Sequence, residues 1–376
     1  LPLGITTLTL GEGFNQPLQP GQLPMGLTSL TFGLRYDQPL QPETLPPGIT
    51  ALEFGDSFSQ KLKHGHLPRG LRTLAFSTGP FYPLKAGVLP TGITNLTFGI
   101  GFDQKLQCGH LPAGIKTLMM GYSFNQQLRH SHLPFGINTL IFGFNFNKPI
   151  KPGHLPSSIT SLTFGHYFNQ PLRAGCLPFG TIFLKFGQKF NQPLQPGLLP
   201  CGITELKFGD CFDQTFYIGT LPSSLISLEL GSLYNRLISF GCIPQCILDL
   251  ILHMKTGKQY SLLFPQSDSL PFTMRHLILK KRFSYNSDGV EIYLPTRCVS
   301  FDISSVITSR IPTIINALHP FWCTLNDQDY ILEVTCRLTD PGNLIMILDK
   351  GGPKQSIIFV PVPQDKQETF PFPISI

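Results

Sequence analysis

The sequence predicts a mainly β protein: a right-handed solenoid with one short parallel strand per 22-residue coil, an extended Pro-rich return path and a β-rich C-terminal cap. Three observations carry this expectation. Leu-Pro recurs every 22 residues, at Leu1, Leu23, Leu45, Leu67, Leu89, Leu111, Leu133, Leu155, Leu177, Leu199 and Leu221, with no insertion. Apolar residues keep fixed phases inside that period. Gly (36) and Pro (35) are spread at repeat phase, which excludes long helices and coiled coils.

Counting the leucine of Leu-Pro as position 0, position 4 is Ile or Leu in every coil but one, and position 7 is always Leu, from Leu8 to Leu228. Position 9 is mostly Phe (Phe32, Phe54, Phe142, Phe164), and position 13 is aromatic in every coil but the fourth (Phe14, Tyr36, Phe124, Phe168). Positions 7 and 9 alternate with Thr or Ser, so they read as a strand with one buried face. Prolines recurring at positions 1, 16 and 19 forbid a helix on the return path. One coil cannot bury its own apolar face, so the coils must stack as a parallel sheet. Leu118, Phe142, Leu162, Phe164, Phe168 and Phe190 are expected in the core. Gly at position 10 ends the strand, through either a positive φ or a close backbone approach. Asn, Asp or Ser at position 14 can bond the buried backbone of the bend, coil after coil.

The pattern L-P-x-G-I-T-x-L-x-F-G-x-x-F-N-Q-P-L resembles the FNIP repeat, a 22-residue relative of the leucine-rich repeat. Phe14-Asn15-Gln16-Pro17, Phe168-Asn169-Gln170-Pro171 and Phe190-Asn191-Gln192-Pro193 are its best copies. The resemblance covers about two-thirds of the chain. It implies a leucine-rich-repeat-like solenoid that binds proteins and carries no catalytic residues. Family members often carry an F-box upstream. This chain shows none and begins within the pattern, without Met, so it reads as a piece of a longer product.

The pattern breaks in two coils. In the fourth, Ser77 replaces the position-10 glycine and Pro80-Phe81-Tyr82-Pro83 replaces the tetrapeptide. In the ninth, Thr181 takes position 4 and Phe183 the usually small position 6. After about residue 240 the repeat decays. The expected organisation is a regular repeat solenoid over 1–263, degenerate coils over 264–304, and a C-terminal β-meander cap or small β domain over 305–376. That last part should contain one short helix near Ile311–Leu318 and strands around Tyr330–Leu338, Leu344–Leu348 and Ile357–Val362.

Composition limits the chemistry. Charged residues make up 13% of the chain and the net charge is +6. No apolar run approaches the roughly 18 residues of a membrane span, and no secretory signal pattern opens the chain. Nine scattered cysteines without paired CxxC spacing point to a reduced, cytoplasmic setting. Cys242 and Cys246 lack a second pair, so zinc there is weak. Asn95-Leu96-Thr97 is a glycosylation sequon by letter, discounted because it falls on a core strand. No triad, paired carboxylate site, HExxH or phosphate loop is present, so neither an enzyme nor a cofactor is expected.

Two rows could carry binding. His110, His132 and His154 share position 21 on successive coils, with His66 earlier and His130 two residues before His132. Stacked imidazoles are weak candidates for a transition metal, since no carboxylate accompanies them. Position 18 holds Lys63, Lys85, Arg129, Lys151 and Arg173, with Lys61, Lys105 and Lys148 nearby. Such a row could meet an acidic or phosphate-bearing partner. With no aromatic residue interleaved, it does not favour nucleic acid.

The expected function is a non-enzymatic protein–protein interaction scaffold, which would be the substrate-binding part of a ubiquitin ligase receptor if an F-box lies upstream. The alternative is a structural spacer in a host or viral assembly. The most varied sheet-face residues, Phe183, Lys185, Glu205, Lys207 and Glu229, are the candidate protein contacts, with no membrane partner expected.

Overall fold

The computed structural model describes residues 2, 4–79, 82–254, 276–281, 300–304, 332–337, 343–349, 356–362 and 372–374; side chains are described only as far as His253. They group into two compact units, Leu1–Gln192 and Pro193–Ile376.

The first unit contains β1 (Thr7–Thr9), β2 (Ser29–Thr31), β3 (Ala51–Phe54), β4 (Thr73–Phe76), β5 (Asn95–Thr97), β6 (Thr117–Met119), β7 (Thr139–Ile141), β8 (Ser161–Thr163) and β9 (Phe183–Lys185). Each pairs in parallel with the next at a shift of one repeat, Leu8 with Leu30, Leu118 with Leu140, Leu162 with Leu184. The chain therefore makes one short strand per coil, as the 22-residue period requires.

The position-7 leucines and position-9 phenylalanines point inward. Leu118, Leu162, Phe168 and Phe190 are wholly inaccessible, with Phe142 and Phe164 nearly so. Within a coil the two phenylalanine phases stack on each other, Phe142 on Phe146 and Phe164 on Phe168, both at 4.0 Å. Between coils the position-13 rings continue the column, Phe124–Phe146 and Phe146–Phe168 at 6.0 Å. Burial of these rings supplies the main drive for stacking coils.

Polar groups of the return path are satisfied from coil to coil. Asn147 Oδ1 accepts the backbone N–H of Asn169 at 3.0 Å and the Nε2 of Gln170 at 3.0 Å. Asn15, Asp37, Asp103 and Asn169 do the same for the coil that follows each. The tetrapeptide thus divides its work. Phe fills the core, Asn bonds the next coil's backbone, Gln braces the previous coil's Asn, and Pro holds the path extended.

The two glycine phases do different jobs. At position 10 no positive φ occurs; a Cβ on Gly143 would instead run into the carbonyl of Gly121, so close approach is what that phase requires. The left-handed residues stand at position 20, as at Gly153 (φ 81°), where Glu43 (φ 66°) and Ser131 (φ 64°) replace glycine in two coils.

In the second unit β10 (Glu205–Lys207), β11 (Ser227–Leu230), β12 (Asp249–Met254), β13 (His276–Lys281) and β14 (Ser300–Ser304) form a parallel ladder. β15 (Leu332–Arg337) joins β14 in parallel, and β16 (Asn343–Asp349), β17 (Ser356–Val362) and β18 (Phe372–Ile374) follow antiparallel. The helix expected near Ile311–Leu318 lies outside the described residues, as do Pro80 and Phe81 of the fourth coil.

Candidate interaction surfaces

The five candidate contact residues fall in the two units, Phe183 and Lys185 in the first, Glu205, Lys207 and Glu229 in the second. Phe183 stands half-buried on the outer sheet face while its neighbour Leu184 fills the core. Thr181, at the position usually held by Ile or Leu, is fully buried and donates its hydroxyl to the carbonyl of Pro178 at 2.8 Å. In the second unit, Lys207 Nζ lies 2.7 Å from Glu205 and 3.8 Å from Glu229, and Glu229 in turn reaches His253 at 2.6 Å. The hydrogen bond to Glu205 and the two carboxylates hold the Lys207 ammonium above its ordinary pKa, against the opposing effect of burial. These side chains form one network across β10, β11 and β12.

The histidine row has a structural task. The Nδ1 atoms of His110, His132 and His154 each accept a position-18 backbone N–H at 3.3 Å, from Gln107, Arg129 and Lys151. Gln22, Thr44 and Thr220 make the same contact through oxygen. Nδ1 is therefore engaged, and each neutral ring carries its proton on Nε2. His130 instead uses Nδ1 toward the carbonyl of Gly153 at 3.2 Å. Among the described residues no group of three or more His, Cys, Asp or Glu is placed to hold a metal ion. Cys242 is buried and donates to the carbonyl of Phe216 at 3.2 Å, and burial pushes its thiol pKa up. Asn95 corrects one expectation. It occupies position 6, whose side chain faces outward, and is exposed while Leu96 is buried.

One exposed feature was missed in the sequence. At position 11, just past the position-10 glycine, Tyr122, Phe144 and His166 stack face to face on successive coils, at 4.5 and 4.2 Å. Tyr167 closes edge-on to Phe144 at 5.2 Å. Backbone bonds from Asn145 to Tyr122 and from Tyr167 to Phe144 carry the coil-to-coil pairing through this turn, so the side chains project outward. Tyr122 and Tyr167 remain 47% and 46% exposed. The signal lay in Leu34, Ile100, Tyr122 and Phe144, four large apolar residues at a turn phase that needs none.

A family model of the FNIP repeat matches residues 1–35, 36–79, 82–123, 102–145, 146–189, 168–211, 190–233 and 212–255. The chain belongs to the FNIP repeat family. Among solved structures this FNIP repeat chain is similar to CroV588, described as a novel circular LRR protein, at 30% identity and a TM-score of 0.67. The match covers 81% of this chain and 50% of that one, so the chain spans half the length of CroV588. An internalin, inlF, from Listeria monocytogenes str. 4b F2365 matches at 15% identity and a TM-score of 0.44, over 75% of this chain and 88% of that one. No curated protein matches. Among the described residues, no helix is long and apolar enough to cross a membrane.

Proposed function

We propose that this FNIP repeat chain is a non-enzymatic platform that binds another protein in the cytoplasm. The observation that carries the reading is the aromatic ladder of Tyr122, Phe144, His166 and Tyr167, whose two tyrosines are exposed and whose other two rings are half-buried. The fixed positions of each coil are occupied by core and backbone tasks, whereas these rings serve neither. Aromatic side chains held rigid on a surface are the residue types that dominate protein interfaces. Phe183 and Lys185 in the first unit, and Glu205, Lys207 and Glu229 in the second, are proposed as further contacts. Joined to an F-box, such a platform would present substrates to a ubiquitin ligase. A structural spacer is the second reading, favoured by the plain Thr and Ser faces of β1 and β2. The division into a regular solenoid (1–263), degenerate coils (264–304) and a C-terminal β part (305–376) belongs to the same proposal.

The test compares proteins retained from a source-cell lysate by the native chain and by Tyr122→Ser/Tyr167→Ser. Both tyrosines are exposed, so the variant should keep the native melting temperature. Loss of a specific partner from the variant supports the platform. Identical recovery by both sinks this ladder as its contact surface.

A further inference from the structure

Charge is distributed unevenly. The first unit has 14 Lys and Arg against 6 Asp and Glu, a net +8, and the second has 14 against 16, a net −2. After Asp103 no acidic residue occurs until Glu205. In the first unit Lys63, Lys85, Arg129, Lys151 and Arg173 all stand at position 18 of the return path, and all five are exposed. The ion pairs among the described residues all lie in the second unit. Lys63 and Lys85, and Arg129, Lys151 and Arg173, are unpaired like charges on coils stacked about 4.8 Å apart, with Gln107 between the two groups; they repel one another, so the column has a standing demand for an anion.

Large apolar side chains flank this column. Phe135 and Phe179, at position 2, are 66% and 77% exposed. The Phe135 ring lies edge-on to His130, one residue past Arg129, with centroids 6.0 Å apart. The apolar row therefore borders the corner that carries the cations.

We propose that this column docks an extended acidic segment of a protein partner, with apolar side chains set among its carboxylates. The inference rests on the platform reading and names the partner's chemistry. From Lys63 to Arg173 the column spans five coil steps, about 24 Å, which an extended chain covers in about seven residues. A column one side chain wide matches a line of carboxylates rather than a plane of lipid headgroups. Single-stranded nucleic acid binds by stacking successive bases on ring faces. Here Phe135 and Phe179 stand two coils apart, about 10 Å, and the rings of the Tyr122 ladder cover one another's faces. Phosphates would find the cations but not the stacking platforms.

The experiment is fluorescence anisotropy of the full chain with a labelled peptide of repeated Glu-Glu-Phe. Oligo-dT and phosphatidylserine vesicles serve as competing probes. The peptide should bind, and more weakly as ionic strength rises to about 0.15 M, where charges beyond about 8 Å are screened. Lys151→Glu/Arg173→Glu should weaken it about tenfold, and Lys116→Glu/Lys189→Glu, the same charge change off the column, less than about twofold. Phe135→Ser should weaken it at both salt levels. Equal loss in both charge pairs, no peptide binding, or tighter binding of oligo-dT or vesicles overturns the proposal. If a partner lost by Tyr122→Ser/Tyr167→Ser is still held by Lys151→Glu/Arg173→Glu, the platform stands and the acidic-segment assignment falls.

Discussion

The imidazole Nδ1 of His132 accepts the backbone N–H of Arg129 at 3.3 Å. Its neighbours His110 and His154 make the same bond one coil to either side. A ring protonated on both nitrogens cannot accept, so the fold needs these histidines neutral.

Acid should therefore loosen the first unit. Burial is the leading cause of a lowered pKa at all three rings. Arg129 and His110 add to it at His132, and Lys151, His132 and Arg129 at His154. In the unfolded chain each titrates near its ordinary value of about 6.5. Between the folded and unfolded values the unfolded state binds more protons, so stability rises with pH across that window. It should be fully present above about pH 6.5 and drain away as pH falls through the folded values. Melting temperatures recorded from about pH 8 to about pH 5 should show the decline. His110→Thr/His132→Thr/His154→Thr should flatten it, since Thr44 and Thr220 already make this bond. An undiminished slope in the triple variant would place the acid sensitivity elsewhere.

The amide ladder gives a sharper contrast. Asn147→Ala removes the acceptor for the Asn169 N–H and the Gln170 amide. Leaving such partly buried donors unmet costs about 1–3 kcal/mol. Asn147→Asp keeps the acceptor, as Asp103 does for Asn125 and Gln126, and should cost far less. Urea denaturation of the two variants checks this. Equal losses would mean that the Nδ2 amide group lost in both variants, not the Oδ1 acceptor, is what matters.

Tyr36 marks a place where the chain can be improved. It sits in the position-13 ring column, stacked 4.0 Å from Phe32 and fully buried. Its hydroxyl has no hydrogen-bond partner, and burial pushes its pKa up to about 12. Most coils place Phe at this phase. Tyr36→Phe should raise stability by about 1 kcal/mol, read as a higher denaturation midpoint. A lower midpoint would show that the hydroxyl is satisfied in solution.

The repeat was legible because stacking forces every coil to solve the same problem. Leu118 and Phe168 must be apolar whatever the partner, and the Asn147 phase must offer an acceptor. Their burial and bonding followed from period alone. The glycines were legible only as a need for small residues. Whether Gly143 answers a positive φ or a close carbonyl depends on how the coils approach each other. The Tyr122–Phe144–His166 ladder escaped because each ring is unremarkable in its own coil and becomes a column only after stacking. Asn95 was misjudged because a strand in the core has an outward face as well as an inward one.

Those two glycine phases can be told apart by one methyl group. Gly143→Ala sets a Cβ against the Gly121 carbonyl, which is backbone and cannot rotate away, so coil spacing itself must give. The bonds from Asn145 to Tyr122 and from Met120 to Ile141 join the same two coils on either side of that contact and would stretch with it. The loss should exceed about 3 kcal/mol, the range of overpacking or worse. Gly153→Ala instead meets open space apart from the His130 ring at 3.7 Å, and its only burden is the left-handed φ of 81°. That burden is about 1–2 kcal/mol, and Glu43 and Ser131 carry it in the native chain. Ser131→Gly should accordingly stabilise by about 1 kcal/mol. Thermal melts of the three variants should rank Ser131→Gly above the native chain, Gly153→Ala slightly below it and Gly143→Ala far below. If Gly153→Ala proved the more damaging of the two alanines, the close carbonyl approach would not be what fixes glycine at the end of each strand.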